Sequence, residues 1–248
     1  MKLLLTGVTG VAGLAIYRAA LADSSVNHIT LLTRRPIPSW AVLPPDAASK
    51  TTVILHKDFL SYPPDLAQRL AAHDACIWAL GKSSKGVTEE EYTEMTHGYT
   101  LAAAQSLKDA GVGGTRTDGN PFRFVFISGE GVKQDAPWYM PLFSRVKGRA
   151  EKDLIALCNS ADHMKAHIVR PGYFFPSLQY PEDRKNQRSS TAQWLDYYVL
   201  TPLYKLLIPG VIVPVEDLGR FTVGLASGRW ANQEVFQNRD MLKLVKEL

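Results

Sequence analysis

Two hydrophobic periods alternate along this chain. Short, mostly apolar runs at residues 3–5, 27–33, 52–56, 75–80, 122–127 and 166–169 have the length of strands and lack the strict polar alternation of a half-exposed sheet. Runs of that kind mark strands covered on both faces. Between them, apolar residues recur three and four apart over residues 11–22, 66–72, 88–110 and 142–158, the spacing that gives a helix one apolar stripe. Strand and helix alternate through residue 172, which predicts an α/β fold: a doubly wound parallel sheet with helices on both faces and right-handed crossovers. Three stretches break the pattern and read as loops: 36–50 with its four prolines, the glycine-rich 111–120, and the polar, charged 180–190. The acidic start Glu89-Glu90-Glu91 of the long helix complements its positive end. His97 within it reads as a packing or surface residue, since no second histidine stands at metal-ligand spacing.

The first strand runs directly into Gly7, Gly10 and Gly13 before the first helical stripe begins. Strand, glycine turn and helix together make an anion site. The free N–H groups and the dipole of the helix face a phosphate, and missing β-carbons let the backbone approach it. Thr9 and Val11 flank Gly10 in the same turn. The second strand ends in Arg34-Arg35 with no acidic residue. In a dinucleotide fold that position faces the adenosine ribose, where arginine complements a 2′-phosphate, so NADP(H) is favoured over NAD(H); the plain alternative is a strand ending in two surface arginines. Asp58, just past the third strand, suits either an adenine amino group or the cap of a turn. Leu80 and Gly81 stand at the carboxyl end of the fourth strand and Ser128 at that of the fifth, where doubly wound folds bind ligands.

The chain has 248 residues, 46% of them hydrophobic and 21% charged. That suits a globular protein with one large core, and we expect one dinucleotide-binding domain over 1–248, with its core at 1–172 and a substrate-side extension at 173–248. The net charge of +4 is scattered in pairs such as Arg34-Arg35 and Arg184-Lys185. Without a basic stripe it argues for a pocket that takes a phosphorylated cofactor and against nucleic acid. Cys76 and Cys158 lack a CxxC partner or metal spacing, so they read as buried apolar residues in a reducing compartment. The opening leucines break at Thr6-Gly7, too soon for a signal core, and no stretch approaches the roughly 20 apolar residues of a membrane span. A cytoplasmic protein is expected.

Gly7-x-x-Gly10-x-x-Gly13, Arg34-Arg35, Ala79-Leu80-Gly81, Ile127-Ser128-Gly129, Val146-Lys147-Gly148 with Glu151, and Arg170-Pro171-Gly172 together resemble the atypical short-chain dehydrogenase/reductases. These are NAD(P)-binding proteins of the Rossmann fold, and the likeness is nearest to their Tat-interacting-protein-like group. It covers residues 1–175 by motif and 213–226 more loosely. The resemblance implies NADP(H)-dependent oxidation or reduction of a small organic molecule, with Lys147, Pro171 and Gly172 joining the glycine turn, the arginine pair, Asp58, Leu80 and Gly81 at the cofactor.

In that family the tyrosine of a Tyr-x-x-x-Lys pair exchanges a proton with the substrate oxygen. The lysine one turn on holds the nicotinamide ribose and lowers the tyrosine pKa, and a serine binds the substrate carbonyl. Lys147 and Ser128 match. The tyrosine position is Phe143, which has no proton to exchange, and loss of a positioned acid typically costs roughly 10²–10⁴ in rate. Three explanations stand open. Tyr139, if the helix starts soon enough, or Tyr173 after the sixth strand supplies the proton. Or the reaction is the reduction of an activated alkene or iminium, with Ser128, water or the product enolate handling the proton. Or the protein holds NADPH without turnover, as a sensing or interaction protein. Downstream, residues 194–209 are rich in aromatics and broken by Pro202. Their apolar face could roof an apolar or aromatic substrate, make a homodimer or touch a membrane; packing over the cofactor cleft is the simplest role.

Overall fold

Seven parallel strands form one sheet in the order β3-β2-β1-β4-β5-β6-β7. The computed structural model describes residues 1–114, 119–189, 191, 194, 198, 202 and 210–248; most of the aromatic stretch 194–209 lies outside them. In chain order the strands are β1 (Lys2–Thr6), β2 (His28–Thr33), β3 (Thr51–Leu55), β4 (Ala75–Trp78), β5 (Phe122–Ile127), β6 (Met164–Arg170) and β7 (Val235–Gln237). The chain works outward from β1 to β3, crosses back and continues from β4 to β7, so the order reverses between β1 and β4. A crevice opens at such a reversal, beyond the carboxyl ends of the strands.

Alternate residues of each central strand enter opposite layers, because successive side chains leave opposite faces of a sheet. Leu3, Leu5, Ile29, Leu31, Ile77, Val125 and Val169 pack against α1 (Val11–Ala22) and α8 (Val215–Ala226). Leu4, Leu32, Cys76, Trp78, Phe124, Phe126 and Ile168 pack against α3 (Pro64–Ala71), α5 (Tyr99–Asp109) and α6 (Leu142–Asn159). Both cysteines are free and buried, and burial pushes both thiols up from their ordinary pKa, which makes them inert packing residues. α1 and α8 approach closely because a β-carbon at Gly219 would lie 2.8 Å from the Ala15 carbonyl oxygen. A one-turn helix, α2 (Ala47–Lys50), interrupts the proline-rich loop.

The structure departs from expectation in three places. The long helix is in three pieces, α4 (Glu89–Thr93), a π-helical turn (Glu94–Gly98) and α5. It begins with a reciprocal cap in which Thr88 Oγ1 accepts from Glu91 N and Glu91 Oε2 accepts from Thr88 N. His97, in the π-turn, bonds Asp153 Oδ2 of α6 at 2.7 Å, the packing role expected of it. The second departure is at the end of the sheet, where β7 and α9 (Asn238–Leu244) are too short to show a period. Third, most of the predicted loop 180–190 is a helix: α7 (Pro181–Gln187) starts with proline at its first turn and buries Asp183. Arg18 of α1 grips that carboxylate with Nη1 at 2.5 Å and Nη2 at 3.0 Å, while its Nε reaches the Val42 carbonyl and its guanidinium lies 3.6 Å over the Tyr180 ring. A polar composition hid a helix fixed by a partner 165 residues away. Removing one member of such a pair strands a buried charge, at about 3–5 kcal/mol.

His167 of β6 is fully buried and donates from Nδ1 to the Gln233 carbonyl at 2.9 Å. Burial holds its pKa down at about 4, against that weaker hydrogen-bond effect. Because the folded value lies below the unfolded one, its contribution is present in full above pH 6.5 and is lost as pH falls toward 4. We expect about 3 kcal/mol of stability to disappear over that window through this side chain. In His167→Gln, the fall in urea-derived unfolding free energy between pH 7 and 4.5 should be visibly shallower; an unchanged slope would refute the assignment.

Candidate functional site at the strand ends

The glycine turn is held by backbone contacts that no side chain could share. Gly7 has φ +74°, and a β-carbon there would meet the Ala79 oxygen at 2.2 Å; one at Gly13 would meet the Gly7 oxygen at 2.1 Å. These two glycines are demanded by the protein itself. Gly10 is different, because its nearest neighbour is the Gly7 oxygen at an ordinary 3.4 Å, and at Gly81 and Gly129 nothing lies within 4 Å. Gly10 also caps α1 without any side-chain hydrogen bond, and the first turn holds no acidic residue. The positive end of α1 therefore faces an open space bounded by bare backbone, a fit for a phosphate group. Thr9 and Val11 beside it are half-buried, and Leu80 donates its N–H to Thr6 Oγ1 at 3.2 Å across the β1–β4 seam.

At the end of β2, Arg34 and Arg35 are both exposed, in a turn where Thr33 Oγ1 donates to the Arg35 carbonyl at 2.9 Å. Asp58 is exposed and accepts the Leu60 N–H at 3.0 Å. One of its oxygens thus serves as a turn cap. Tyr99, which sequence reasoning missed, stacks on Phe59 with ring centroids 5.8 Å apart and donates to Glu94 Oε1. Burial and Glu94 raise its phenol pKa while the Arg34 charge lowers it, so Arg34, Phe59 and Tyr99 gather at one corner. Aromatic composition alone carried no signal for that role.

At the ends of β5 and β6 lies a buried polar cluster. Lys147 on α6 donates from Nζ to the Ser128 carbonyl at 2.7 Å and the Ile127 carbonyl at 3.4 Å. Lys147 keeps part of its surface in solvent, yet burial of its ammonium holds the pKa down at about 8, with Glu151 pulling the other way. One turn further in, Glu151 has no exposed surface. Its carboxylate accepts Arg170 Nε at 3.0 Å and Nη2 at 2.5 Å, and also the Ser128 hydroxyl at 2.5 Å. The serine is where it was expected, but its proton is directed inward to a carboxylate. Glu151 and Arg170 stood in the sequence motif without a role; here they are the clamp of the site.

The helix starts too late for the Tyr139 alternative, and Gly172 is tightly packed. α6 begins at Leu142, so Tyr139 is outside it; its ring is 71% exposed and packs only edge-on to Trp138, at 6.0 Å. It does not share the face of Lys147, because Pro141 sets the helix start two residues too late. Gly172 is held by structure: a β-carbon there would lie 1.9 Å from the Val211 oxygen, and its N–H bonds Asn238 Oδ1. Pro171, buried beside it, accepts the Glu130 N–H at 2.8 Å. Tyr173 is half-buried, bridges to Ile212 and sets its ring edge-on to Phe175 at 4.9 Å. Phe143 lies in the first turn of α6, 36% exposed. Trp194 and Tyr198 are both exposed, and the described residues show no substrate roof around them. No group of side chains suited to a metal occurs among the described residues.

The strand order and the bare-backbone anion cradle define the Rossmann class of nucleotide-binding folds. L-sorbose reductase from Gluconobacter frateurii, complexed with NADPH, shares the fold with a TM-score of 0.66 at 16% identity over 95% of this chain and 94% of that one. The PhqB reductase domain from Penicillium fellutanum does so with a TM-score of 0.67 at 17% identity over 99% and 69%. No family model matches the sequence. Leucinostatins biosynthesis cluster protein T of Purpureocillium lilacinum is 30% identical over 157 residues, which are 63% of this chain and 52% of that protein; the chain spans about half the length of this relative. Botcinic acid biosynthesis cluster B protein 16 of Botryotinia fuckeliana is 31% identical over 134 residues, 52% of this chain and 78% of that protein. The chain belongs to the same family as that protein. The mitochondrial protein FMP52 of Eremothecium gossypii is 26% identical over 100% of this chain and 98% of its own length. Similar proteins of Candida albicans and Aspergillus niger bear the same name. The cytoplasmic expectation is corrected by these mitochondrial relatives. Its physical basis was thin, since two buried thiols and a globular composition suit any reducing compartment. Among the described residues no helix is long and apolar enough to cross a membrane.

The two kinds of glycine can be separated by experiment. Gly13→Ala should fold poorly, because its methyl meets backbone. Gly10→Ala should melt within about 2 °C of the native chain, about 0.5–1 kcal/mol at most, yet bind NADPH at least tenfold more weakly in calorimetry. Native affinity in Gly10→Ala would remove the phosphate from this turn.

Proposed function

We propose that this chain is an NADP(H)-dependent oxidoreductase of the atypical short-chain dehydrogenase/reductase kind, acting on a small organic molecule, with an altered proton-handling site. The observation that carries the reading is the open Gly10 cradle at the reversal of the sheet, facing the positive end of α1 with no side chain or carboxylate to fill it. The exposed Arg34-Arg35 pair at the end of β2 supports the phosphorylated dinucleotide, as charge-assisted bonds to a 2′-phosphate reward arginine there. When bound, the dinucleotide supplies or accepts hydride. Lys147 sets a fixed ammonium on its nicotinamide side, Phe143 gives an apolar wall, and Glu151 with Arg170 keeps α6 and β6 in register. Residues 1–172 make the dinucleotide-binding core, and 173–248 the side on which an apolar or aromatic substrate docks. A mitochondrial location is proposed from the relatives named for it.

A second reading has its own support. Phe143 lacks a hydroxyl, and the Ser128 hydroxyl is committed to Glu151. Both suit a protein that binds NADPH and signals its occupancy without turnover, and a Rossmann fold by itself permits either role.

Calorimetry with the two dinucleotides tests the common ground. NADPH should bind at least tenfold more tightly than NADH, about 1.4 kcal/mol, and Arg34→Ala with Arg35→Ala should erase the difference. Preference for NADH, or full NADPH affinity in the double variant, would refute the arginine assignment. A panel of carbonyl and activated-alkene substrates followed at the NADPH absorbance band then separates the readings, and silence with tight binding would select the sensor.

A further inference from the structure

We propose that Lys147 is itself the proton donor of this site, passing a proton from Nζ to the oxygen of a carbonyl substrate as hydride reaches the carbon. The inference deepens the oxidoreductase reading and rests on it. Phe143, Lys147 and Glu151 follow one another at four-residue steps on α6, so they share one face. Exposure along that face falls from 36% at Phe143 to 0% at Glu151. Lys147 is thus the first ionisable group reached from the solvent end of the row.

Of the other candidate side chains for the proton, Phe143 has no hydroxyl, Tyr139 is turned out to solvent outside the helix, and the Ser128 proton goes to Glu151 Oε1; Tyr173 lies off this helix row, after β6, with its ring edge-on to Phe175. An ammonium has three protons. Two of those on Nζ go to the Ser128 and Ile127 carbonyls, which cannot keep a proton. Among the described residues the third proton meets no acceptor, and it goes to the substrate oxygen in place of the ribose hydroxyl that the family's lysine holds. The charged groups on the elements packed around it are Glu151, one turn along, and Arg170 of β6, which clamps the Glu151 carboxylate. In the loop after β5 are Glu130, whose Oε2 accepts the Asn238 N–H, Lys133, whose carbonyl lies against Gly148, and Asp135, paired with Lys152; where α4 and the π-turn pack on α6, Glu89 pairs with Arg145 and His97 with Asp153. With Glu151 already held by Arg170, burial outweighs it and the Lys147 pKa stays near 8, where an acid and its base are both accessible.

The step balances as follows. The carbonyl carbon takes hydride from the reduced dinucleotide, which is oxidised; the C=O π bond opens, its oxygen takes the Nζ proton, and neutral Lys147 regains a proton from solvent. Reduction needs the ammonium form, so its rate holds below a pH of about 8 and falls about tenfold per pH unit above it. Oxidation of the alcohol runs with the opposite sign.

Titration of Lys147 Nζ in the dinucleotide-free protein by ¹⁵N NMR, assigned by comparison with Lys147→Arg, is the direct test. A midpoint near 8 is expected, and one that stays at the ordinary 10.5 overturns the proposal. In NADPH-dependent carbonyl reduction, Lys147→Arg keeps the cation but releases no proton, so the rate should drop by about 10²–10⁴. Adding Phe143→Tyr to Lys147→Arg should return part of that loss, a rescue that a merely structural lysine would not show. A native rate and pH profile in Lys147→Arg overturns the proposal, as does silence of every carbonyl substrate despite tight NADPH binding. Failure of the underlying reading is seen separately: a native chain that binds no NADPH in calorimetry removes both. Binding and turnover with a flat profile across pH 7–9 removes the proton-donor role alone.

Discussion

The contact of bare backbones at the β1–β4 seam governs the molecule. Gly7 sits so close to the Ala79 carbonyl, and Gly13 so close to the Gly7 carbonyl, that any β-carbon would overlap them. The register Thr6↔Trp78 brings the two strand ends level just before that contact. Strand, turn and helix are therefore locked without a side chain, and the axis of α1 has one direction it can take. Its positive end opens on the crevice where the sheet order reverses, and Arg34 from β2 on one side and Lys147 from α6 on the other are placed relative to it.

Away from that seam, two buried ion pairs set positions that apolar packing would leave loose. Arg18 and Asp183 join α1 to α7, and Arg170 and Glu151 join β6 to α6. Apolar residues of similar size in such places often stabilise a protein as well or better. What a bidentate pair adds is a single geometry, because a planar guanidinium and a carboxylate match in one orientation. At Glu151 that geometry has a second consequence: the same oxygen that takes Arg170 Nε takes the Ser128 hydroxyl. The clamp orders the serine and withdraws its proton from the cleft in one arrangement.

These are the features the sequence could not display. Five strands were legible because each is a run buried on both faces, β3 by its apolar run although none of its residues is buried, and the glycine turn because a strand and a helix flank it. β7 has three residues, fewer than a period needs. The π-turn at Glu94–Gly98 shifts the helical phase over only five residues, too few to disturb an apolar stripe. α7 is polar in composition, and only its partner on α1 shows that it is a packed helix. Ser128 and Glu151 were visible as types, but the direction of a hydroxyl is a property of what surrounds it. Asp58 kept two readings in the sequence for the same reason, and its bond to the Leu60 N–H occupies one oxygen and leaves both readings standing.

A phenylalanine at position 143 changes more than one residue. Where a phenol stands four residues before a lysine, the ammonium field is spent in lowering the phenol pKa, and the phenol carries the proton. Without the phenol, the ammonium has only backbone carbonyls and a carboxylate that Arg170 has already matched. Burial then acts on the lysine itself, drawing its pKa toward the range in which a proton is both held and given. With no phenol in the row, Lys147 is the first ionisable group met along it from the solvent end. The lack of a hydroxyl at Phe143 is by itself a weak argument for an inert site, since Lys147 has its burial and its two anchoring carbonyls.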